Sequence, residues 1–227
     1  MDRYGHASRG SWSCSDDPSP RHPRPHRALA RLDRVQLEAC LSLQSIILAI
    51  LLAAPAFTAE PTPETHEDRH TRLWILSTEI AAASRTQPGV APYEVAAALL
   101  TLGKLESGWA AYVGNGECAS GPRGMRCDPD KRTGVPRARS YWQVHVGACP
   151  QAWREEPGSL EELRAAARCA ARHWSGARLR CRGRHPSGDD AGAFSGYRSN
   201  TCDWPGGTYR AREYTRMLAA LRAGRTP

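Results

Sequence analysis

Residues 92–107, PYEVAAALLTLGKLES, carry the pattern that decides the fold of this chain. Pro92 suits the first turn of a helix, where its missing N–H costs nothing, and Glu94 interacts favourably with the positive end of the helix dipole. Apolar residues then recur every three or four positions, which is the period of a helix that buries one face. The members of this stripe are Val95, Leu99, Leu102 and Leu105. The sequence therefore predicts a core helix that continues to Gly108.

Glu106 stands out because it ends this apolar stripe. On a helix its side chain stacks on Leu102 and Leu99, whereas the predicted water-facing side runs through Thr101 and Lys104. A carboxyl group at the inner edge of an apolar face is partly desolvated, which disfavours its charged form. A general acid that works near neutral pH needs this property. The alternative is a glutamate that reaches solvent beyond the last turn of the helix.

Three further helices are predicted around this one. Apolar spacing indicates one helix over residues 71–85 and a last one over residues 208–222. The sequence Ser159-Leu-Glu-Glu162 is a capping box, and it begins a long alanine-rich helix that runs to about Arg180. The helical content therefore exceeds any other regular structure that the chain predicts.

The segments between these helices predict loops. Residues 109–150 are rich in glycine and proline and contain short alternating stretches, which favours loops with a small hairpin near residues 140–144. Residues 182–207 again predict loops. The expected fold class is α+β, mainly α: a helical domain with a loop-rich or small β insert that disulfides hold together.

The N-terminal part is not expected to fold with this domain. Residues 1–34 are rich in proline, arginine and histidine without apolar periodicity, so we interpret them as a disordered tail or an artefact of start-site choice. Residues 35–56 contain the apolar run 41–54, preceded by arginines and followed by the small-residue site Ala54-Pro-Ala56. This combination is typical of a signal peptide, or of a signal-anchor if it is not cleaved.

Residues 57–70 are interpreted as a polar linker to a folded domain over residues 71–224. Either form of the signal exports this domain, so we expect a periplasmic or extracellular location, with residues 41–56 as the only contact with a membrane. If the signal is not cleaved, the same residues anchor the chain.

Cysteine usage also indicates export. Six of the eight cysteines follow the predicted signal, and an even number in an exported domain is typical of disulfides. Cys169 and Cys181, if they share a helix, lie about 18 Å apart, too far for a bridge. Among the pairings that stay open we expect Cys118–Cys127, Cys149–Cys169 and Cys181–Cys202. No Cys-x-x-Cys pair occurs, which argues against zinc, and we expect no cofactor.

The basic charge does not by itself indicate a nucleic-acid partner. The chain has a formal net charge of +8, and only Lys104 and Lys131 among its 31 basic residues are lysines. The arginine run at residues 178–184 has no interleaved aromatic residues, which is typical of a solvated helix end. Contact with an acidic polymer of the cell wall is the alternative.

Three short motifs follow one another in the exported part. Glu106-Ser107 ends a helix, Ser140-Tyr-Trp-Gln-Val144 lies in the predicted hairpin, and Ala193-Phe-Ser-Gly-Tyr197 precedes the last helix. In this order they resemble the soluble lytic transglycosylase domain of the lysozyme-like superfamily. That family carries a Glu-Ser pair, then Gly-Leu-Met/Phe-Gln-Ile, then Ala-Tyr-Asn-x-Gly. The resemblance covers about residues 71–222.

The second and third motifs depart from the family pattern. Gln143 is the one residue of the second motif kept outright. Phe194 replaces a tyrosine whose hydroxyl would contact the acid, Ser195 replaces asparagine, and Tyr197 stands where glycine is usual. Ser195 or Tyr197 would have to supply the lost hydrogen bond.

The resemblance implies a lysozyme-like domain that cleaves peptidoglycan glycan strands as a monomer. Glu106 would protonate the β-1,4 glycosidic oxygen between N-acetylmuramic acid and N-acetylglucosamine and then act as base on the muramic acid 6-hydroxyl, so that a 1,6-anhydro ring closes. Aromatic rings also suit sugar faces. The residues expected to contact the glycan are Ser107, Trp109, Tyr141, Gln143, Phe194, Ser195 and Tyr197.

Two other functions stay open. A lysozyme-like hydrolase needs a second carboxylate, for which Asp128 and Asp130 are the candidates, although both also suit a turn around Pro129. A non-catalytic module that binds the cell wall is compatible with the altered third motif. For Ser107 a helix cap, and for Gln143 a strand position facing water, are the plain structural alternatives.

Overall fold

A computed structural model describes residues 43–54, 64–114, 132 and 137–226. It is mainly helical, as the sequence predicts, and it contains one two-stranded sheet. The predicted tail, the first part of the signal, the pair Cys118–Cys127, and Asp128 and Asp130 lie outside the described residues. The elements are α1 (residues 43–53), α2 (His66–Ser84), α3 (Pro92–Glu106), α4 (Ala111–Gly114), β1 (Ala138–Arg139), β2 (Val144–His145), α5 (Leu160–Arg180), α6 (Asp189–Ser199) and α7 (Gly206–Ala223).

Helix α3 lies at the centre of the domain. Every residue from Val95 to Gly103 is buried, and α2, α5 and α7 pack around it. The prediction that Thr101 faces water is therefore wrong, because α7 covers that side and leaves Thr101 with no exposed surface. Lys104 on the same side pairs with Glu213 of α7 across 2.7 Å. A helix that is apolar over most of its circumference is stable only when neighbours enclose it.

Helix α2 begins earlier than the apolar spacing predicts. Thr65 is its N-cap, and the Thr65 side chain accepts a hydrogen bond from the backbone N–H of Asp68. Residues 66–70, which were interpreted as linker, therefore form the first turn of the helix. This polar turn buries little apolar surface. The Thr65 cap and the acidic residues beside it stabilise the turn instead, through a hydrogen bond and through favourable interaction with the positive end of the helix dipole.

The predicted hairpin is present but short. Strands β1 and β2 pair antiparallel, with Ala138 opposite His145 and Arg139 opposite Val144. Ser140 and Gln143 have positive φ angles of 63° and 50°, and the Gln143 N–H donates to the Ser140 carbonyl. Gln143 therefore lies in the tight turn and not on a strand, which corrects its expected placement.

Helix α5 begins at the predicted capping box. The Ser159 hydroxyl accepts from the Glu162 N–H, and a Glu162 carboxylate oxygen accepts from the Gly158 N–H. The Ser159 hydroxyl satisfies a donor of the first helical turn, whereas the Glu162 carboxylate reaches one residue beyond the N-cap, to the Gly158 N–H. Burial raises the pKa of Glu162, whose side chain is enclosed at this helix start.

Helix α6 replaces a predicted loop. Glycines at 192 and 196 lower its intrinsic helix propensity, which is why the sequence pattern favours a loop there. A Cβ atom at Gly196 would lie 2.9 Å from the Ala177 Cβ and 3.0 Å from the Cys181 Sγ, so glycine lets α6 approach α5 closely. Tertiary packing thus overrides local propensity, and the third motif lies on a helix.

Two disulfides hold α5, one at its middle and one at its C-terminal end. Cys149–Cys169 ties the segment after the hairpin to the middle of α5, and Cys181–Cys202 ties the end of α5 to the segment after α6. Their Cα separations are 5.9 and 5.1 Å. These are the two pairings expected for these four cysteines, and they are typical of a protein that folds in an oxidising compartment.

The apolar segment of the predicted signal packs on the domain as α1. It lies antiparallel to α2, because Gln44 Nε2 donates to Thr78 Oγ1 across 2.8 Å while Arg69 Nη2 donates to the Ala54 carbonyl across 2.7 Å. Its buried side chains are Leu43, Ile47, Ile50 and Leu51. Among the described residues, none of the helices has both the length and the apolarity that crossing a membrane requires. Export by this segment stays a prediction.

Two helical glycines provide a matched test of the packing. We expect Gly103→Ala to destabilise the fold, because the new Cβ would lie 1.9 Å from the ring of Trp109. We expect Gly176→Ala to stabilise it by about 0.5–1 kcal/mol, since nothing lies within 4 Å of that position and alanine is the better helix former. Denaturant unfolding with the disulfides intact measures both changes, and equal effects of the two substitutions would contradict the packing described.

Candidate functional site

Ser107 ends α3 as a cap. Its hydroxyl donates to the Gly103 carbonyl across 2.8 Å and accepts from the Trp109 N–H across 3.2 Å. The side chain has no exposed surface. Gly108 and Trp109 then adopt positive φ angles of 63° and 61°, so the chain turns away sharply after the helix. Ser107 therefore shapes the turn that follows Glu106, and its hydroxyl is already occupied.

Trp109, Tyr141 and Trp142 form one aromatic cluster. Their ring centroids lie 5.7, 6.4 and 6.3 Å apart in tilted and edge-to-face arrangements. Trp109 is 7% exposed and Tyr141 is 3% exposed. The Trp142 indole N–H donates to the Leu99 carbonyl of α3 across 3.0 Å. Trp109 and Tyr141 thus pack in the core around the end of α3, and neither presents a free ring face to a sugar.

Phe194 and Ser195 of the third motif point inward. Phe194 packs with Trp174 and Tyr214 at centroid distances of 6.1 and 5.7 Å and has no exposed surface. The Ser195 hydroxyl donates within α6 to Ala191 and toward the Trp204 carbonyl. Neither side chain replaces the hydrogen bond that the family tyrosine supplies.

Tyr197 connects the second and third motifs. Its hydroxyl donates to the Trp142 carbonyl across 3.0 Å. Burial raises the pKa of the Tyr197 phenol, and the nearby negative charge of Glu106 raises it further. The phenol is therefore neutral over the physiological range and remains a donor. Together with the Trp142–Leu99 hydrogen bond, this contact ties the second and third motifs to the middle of α3, and the ring contact of Trp142 with Trp109 connects them to the turn after Glu106.

Glu106 has a charged partner that the sequence analysis missed. Arg210 Nη1 of α7 donates to Glu106 Oε1 across 2.7 Å, and the two side chains are only 10% and 12% exposed. The Arg210 guanidinium also lies over the Trp204 ring, 5.4 Å from its centroid. The expected unpaired carboxyl is therefore an ion pair. Glu106 Oε2 has no hydrogen-bond partner among the described residues.

A signal for Arg210 was present in the sequence. It precedes Tyr214 by four positions and Met217 by seven, so it belongs to the inward-facing stripe of α7. An arginine on an apolar stripe requires a partner when it is buried. In α3, Glu106 is the only charged residue that the apolar pattern likewise places on an inward-facing stripe, so it is the matching partner.

Gln143 lies beside a small cavity of about 50 Å³. Its side-chain amide donates to the Ser140 carbonyl across 3.1 Å, and His145, His173 and Tyr197 also line the cavity. Partial desolvation lowers the pKa of His173. Gln143 and Tyr197 are thus the two predicted contact residues that share a concave surface in the described part of the chain.

A larger cavity of about 440 Å³ lies between α2 and the start of α5, and Tyr141 is the predicted contact residue that lines it. Glu64, Glu67, Asp68 and Arg72 form its polar wall. Arg72 donates to both carboxylate oxygens of Glu64, at 2.6 and 2.7 Å, and also to the Trp109 carbonyl. Neither Glu106 nor Arg210 lines this cavity.

The Glu106–Arg210 pair generates a testable coupling. In a double-mutant cycle with Glu106→Gln and Arg210→Met, we expect a coupling energy above about 1 kcal/mol, because removing one partner of a buried pair strands the other charge. The cycle at Glu79 and Arg164 is the control, since Arg164 is 42% exposed and the expected coupling is below about 1 kcal/mol. Similar coupling at the two pairs, measured by denaturant unfolding, would contradict the burial of the Glu106 pair.

Comparisons with known proteins give no assignment. No model of a known protein family matches this chain, and searches of the curated proteins and of the solved structures found no match.

Proposed function

We propose that the chain is a peptidoglycan-cleaving lytic transglycosylase in which Glu106 is the single acid and base. The observation that carries the proposal is that contacts of the second and third motifs connect them to each other and to α3, the helix that ends at Glu106. Tyr197 bonds to the backbone of Trp142, Trp142 bonds to the backbone of α3, and the charge of Glu106 acts on Tyr197. Sequence order alone does not require these segments to meet.

The proposed reaction uses one carboxyl group twice. Glu106 Oε2 carries the proton and gives it to the glycosidic oxygen between N-acetylmuramic acid and N-acetylglucosamine, while the bond from that oxygen to C1 breaks. The resulting carboxylate takes the proton of the 6-hydroxyl of N-acetylmuramic acid. The oxygen of that hydroxyl then bonds to C1 of the same sugar and closes the 1,6-anhydro ring. The proton is returned and no water is consumed, so a second carboxylate is not needed. Hydrolysis with retention would need two carboxyl groups about 5–5.5 Å apart.

Arg210 gives the two carboxylate oxygens of Glu106 different roles in the proposed reaction. It bonds to Oε1 and leaves Oε2 for the proton, which fixes the direction from which the carboxyl meets its substrate. The guanidinium also stabilises the carboxylate that remains after the first proton transfer.

The proposed surroundings agree with this role. The two disulfides support an oxidising location, and we propose the periplasm or the extracellular space, where peptidoglycan strands are the partner. Gln143 is proposed to present its amide at the surface beside Tyr197. Ser107, Trp109, Tyr141, Phe194 and Ser195 support the site from within, since all five are buried.

One observation favours a second candidate, a non-catalytic module that binds the cell wall. The Glu106 carboxylate is already paired with Arg210 across 2.7 Å. A module of this kind would bind peptidoglycan without breaking a bond.

Replacement of the acid tests the catalytic proposal. We expect Glu106→Gln to lower turnover on purified peptidoglycan by about 10²–10⁴-fold, because the amide cannot transfer the proton. Mass analysis of the products released by the unmodified protein should show anhydro ends. Glu213→Gln is the matched control, since Glu213 also bridges α3 and α7 through Lys104, and its activity should be unchanged.

Three results would reject this mechanism. Incorporation of oxygen from labelled water at reducing ends would indicate a hydrolase. Binding of purified sacculi without release of muropeptides would indicate the wall-binding module. Equal loss of activity in Glu106→Gln and Glu213→Gln, with the fold intact by circular dichroism, would remove the special role of Glu106.

A further inference from the structure

Two cysteines and a histidine cluster on one side of α5. The donor atoms of Cys149, Cys169 and His173 all lie within 4.8 Å of one another. Cys169 and His173 are four residues apart on α5 and therefore point from the same helical face. Cys149 reaches the same point from the segment after the hairpin and bonds to Cys169 as a disulfide. The proposed reaction does not use these three side chains.

The cluster has the composition and space of a tetrahedral metal site. Two thiolates and one imidazole are ligands that zinc prefers, with a fourth position left for water or another donor. In such a site the two sulfur atoms lie about 3.8 Å apart, so the Sγ atoms move apart once the disulfide opens. The 50 Å³ cavity adjoins both Cys149 and His173, which leaves room on the open side.

The other disulfide in the described part of the chain lacks this arrangement. Cys181 and Cys202 belong to no metal-compatible group among the described residues, although their Cα atoms are as close as those of the first pair. Proximity of two cysteines therefore does not by itself create the cluster. The third ligand, His173, is what distinguishes the Cys149 site.

We propose that the reduced form of this protein binds one zinc ion through Cys149, Cys169 and His173. A dithiol reductant supplies two electrons and two protons to the Cys149–Cys169 bond and is itself oxidised to a disulfide. Zinc then displaces the two thiol protons and binds the neutral imidazole, so two protons are released for each ion. The ion takes over the link between α5 and the hairpin segment that the disulfide provides in the oxidised form.

The site adjoins the candidate catalytic residues without belonging to them. The His173 ring packs edge-to-face on Tyr197, with centroids 6.4 Å apart, and Tyr197 holds the Trp142 backbone. Either the disulfide or the bound zinc ion at Cys169 thus keeps α5 and the hairpin in fixed positions beside Tyr197. The inference depends on the cluster alone and stands whether or not Glu106 is catalytic.

Cobalt binding tests the proposal spectroscopically. The full chain is reduced with a phosphine, which donates no thiolate, and titrated with Co²⁺ and then with Zn²⁺ as competitor. We expect thiolate-to-cobalt charge-transfer absorption that disappears in Cys149→Ser and weakens in His173→Ala. The affinity in His173→Ala should fall by at least about tenfold, the loss that even an outer-shell partner causes. His173→Cys should restore the absorption.

Matched controls separate the site from other thiols and from unfolding. The double variant Cys181→Ser and Cys202→Ser should retain the metal, since those cysteines lack a third ligand in the described structure. Zinc should raise the melting temperature of the reduced protein and not that of reduced Cys149→Ser. The proposal is overturned if Cys149→Ser binds as much cobalt as the unmodified chain, or if His173→Ala keeps the same affinity and spectrum.

Discussion

Helix α3 has no polar side wide enough to meet water, so the rest of the domain must enclose it. Leu99, Leu100 and Leu102 have no exposed surface, and each fully buried leucine contributes about 1.5–3 kcal/mol. This burial requires that α2, α5 and α7 pack around α3. Because α3 is fixed on all sides, the position of its last residue, Glu106, is fixed as well. The Trp142 indole bonds to the Leu99 carbonyl and thereby sets the hairpin turn relative to the same helix.

A charged residue at the end of a buried helix needs a partner of opposite charge, and α7 provides it. The Glu106 carboxylate is 12% exposed, and an unpaired charge with so little access to water would be costly. Arg210 removes that cost by binding one carboxylate oxygen and stacking on Trp204. The pair also ties the end of α3 to the start of α7. A stabilising role and a catalytic role for Glu106 therefore rest on the same contact, which is why stability and turnover have to be measured separately.

The sequence predicted the parts that local patterns determine. The apolar stripe of α3, the capping box of α5 and the approximate start of α7 follow from spacing and caps. Helix length excluded a Cys169–Cys181 bridge and left other pairings open, and the two expected pairings among the described cysteines are confirmed. The remainder depends on tertiary contacts. Helix α6 forms although its glycines disfavour a helix, because Gly196 permits close packing on α5. Gln143 enters a turn because the strands on either side are only two residues long. Arg210 belongs to the inward-facing stripe of α7, but its pairing with Glu106 depends on how α3 and α7 pack face to face.

Close approach of two aromatic rings to helical glycines explains why Trp109 and Tyr141 do not present open ring faces at the candidate site. A Cβ at Gly103 would collide with Trp109, and a Cβ at Gly114 would lie 2.0 Å from the Tyr141 hydroxyl. Glycine at these positions lets both rings pack inward, where they support the turn after α3 instead of meeting a ligand. Under the proposed function, a glycan would therefore meet polar groups among the described residues, chiefly Gln143 and the Glu106 oxygen that Arg210 does not bind. Hydrogen bonds and charge, not ring stacking on Trp109 or Tyr141, would then position it.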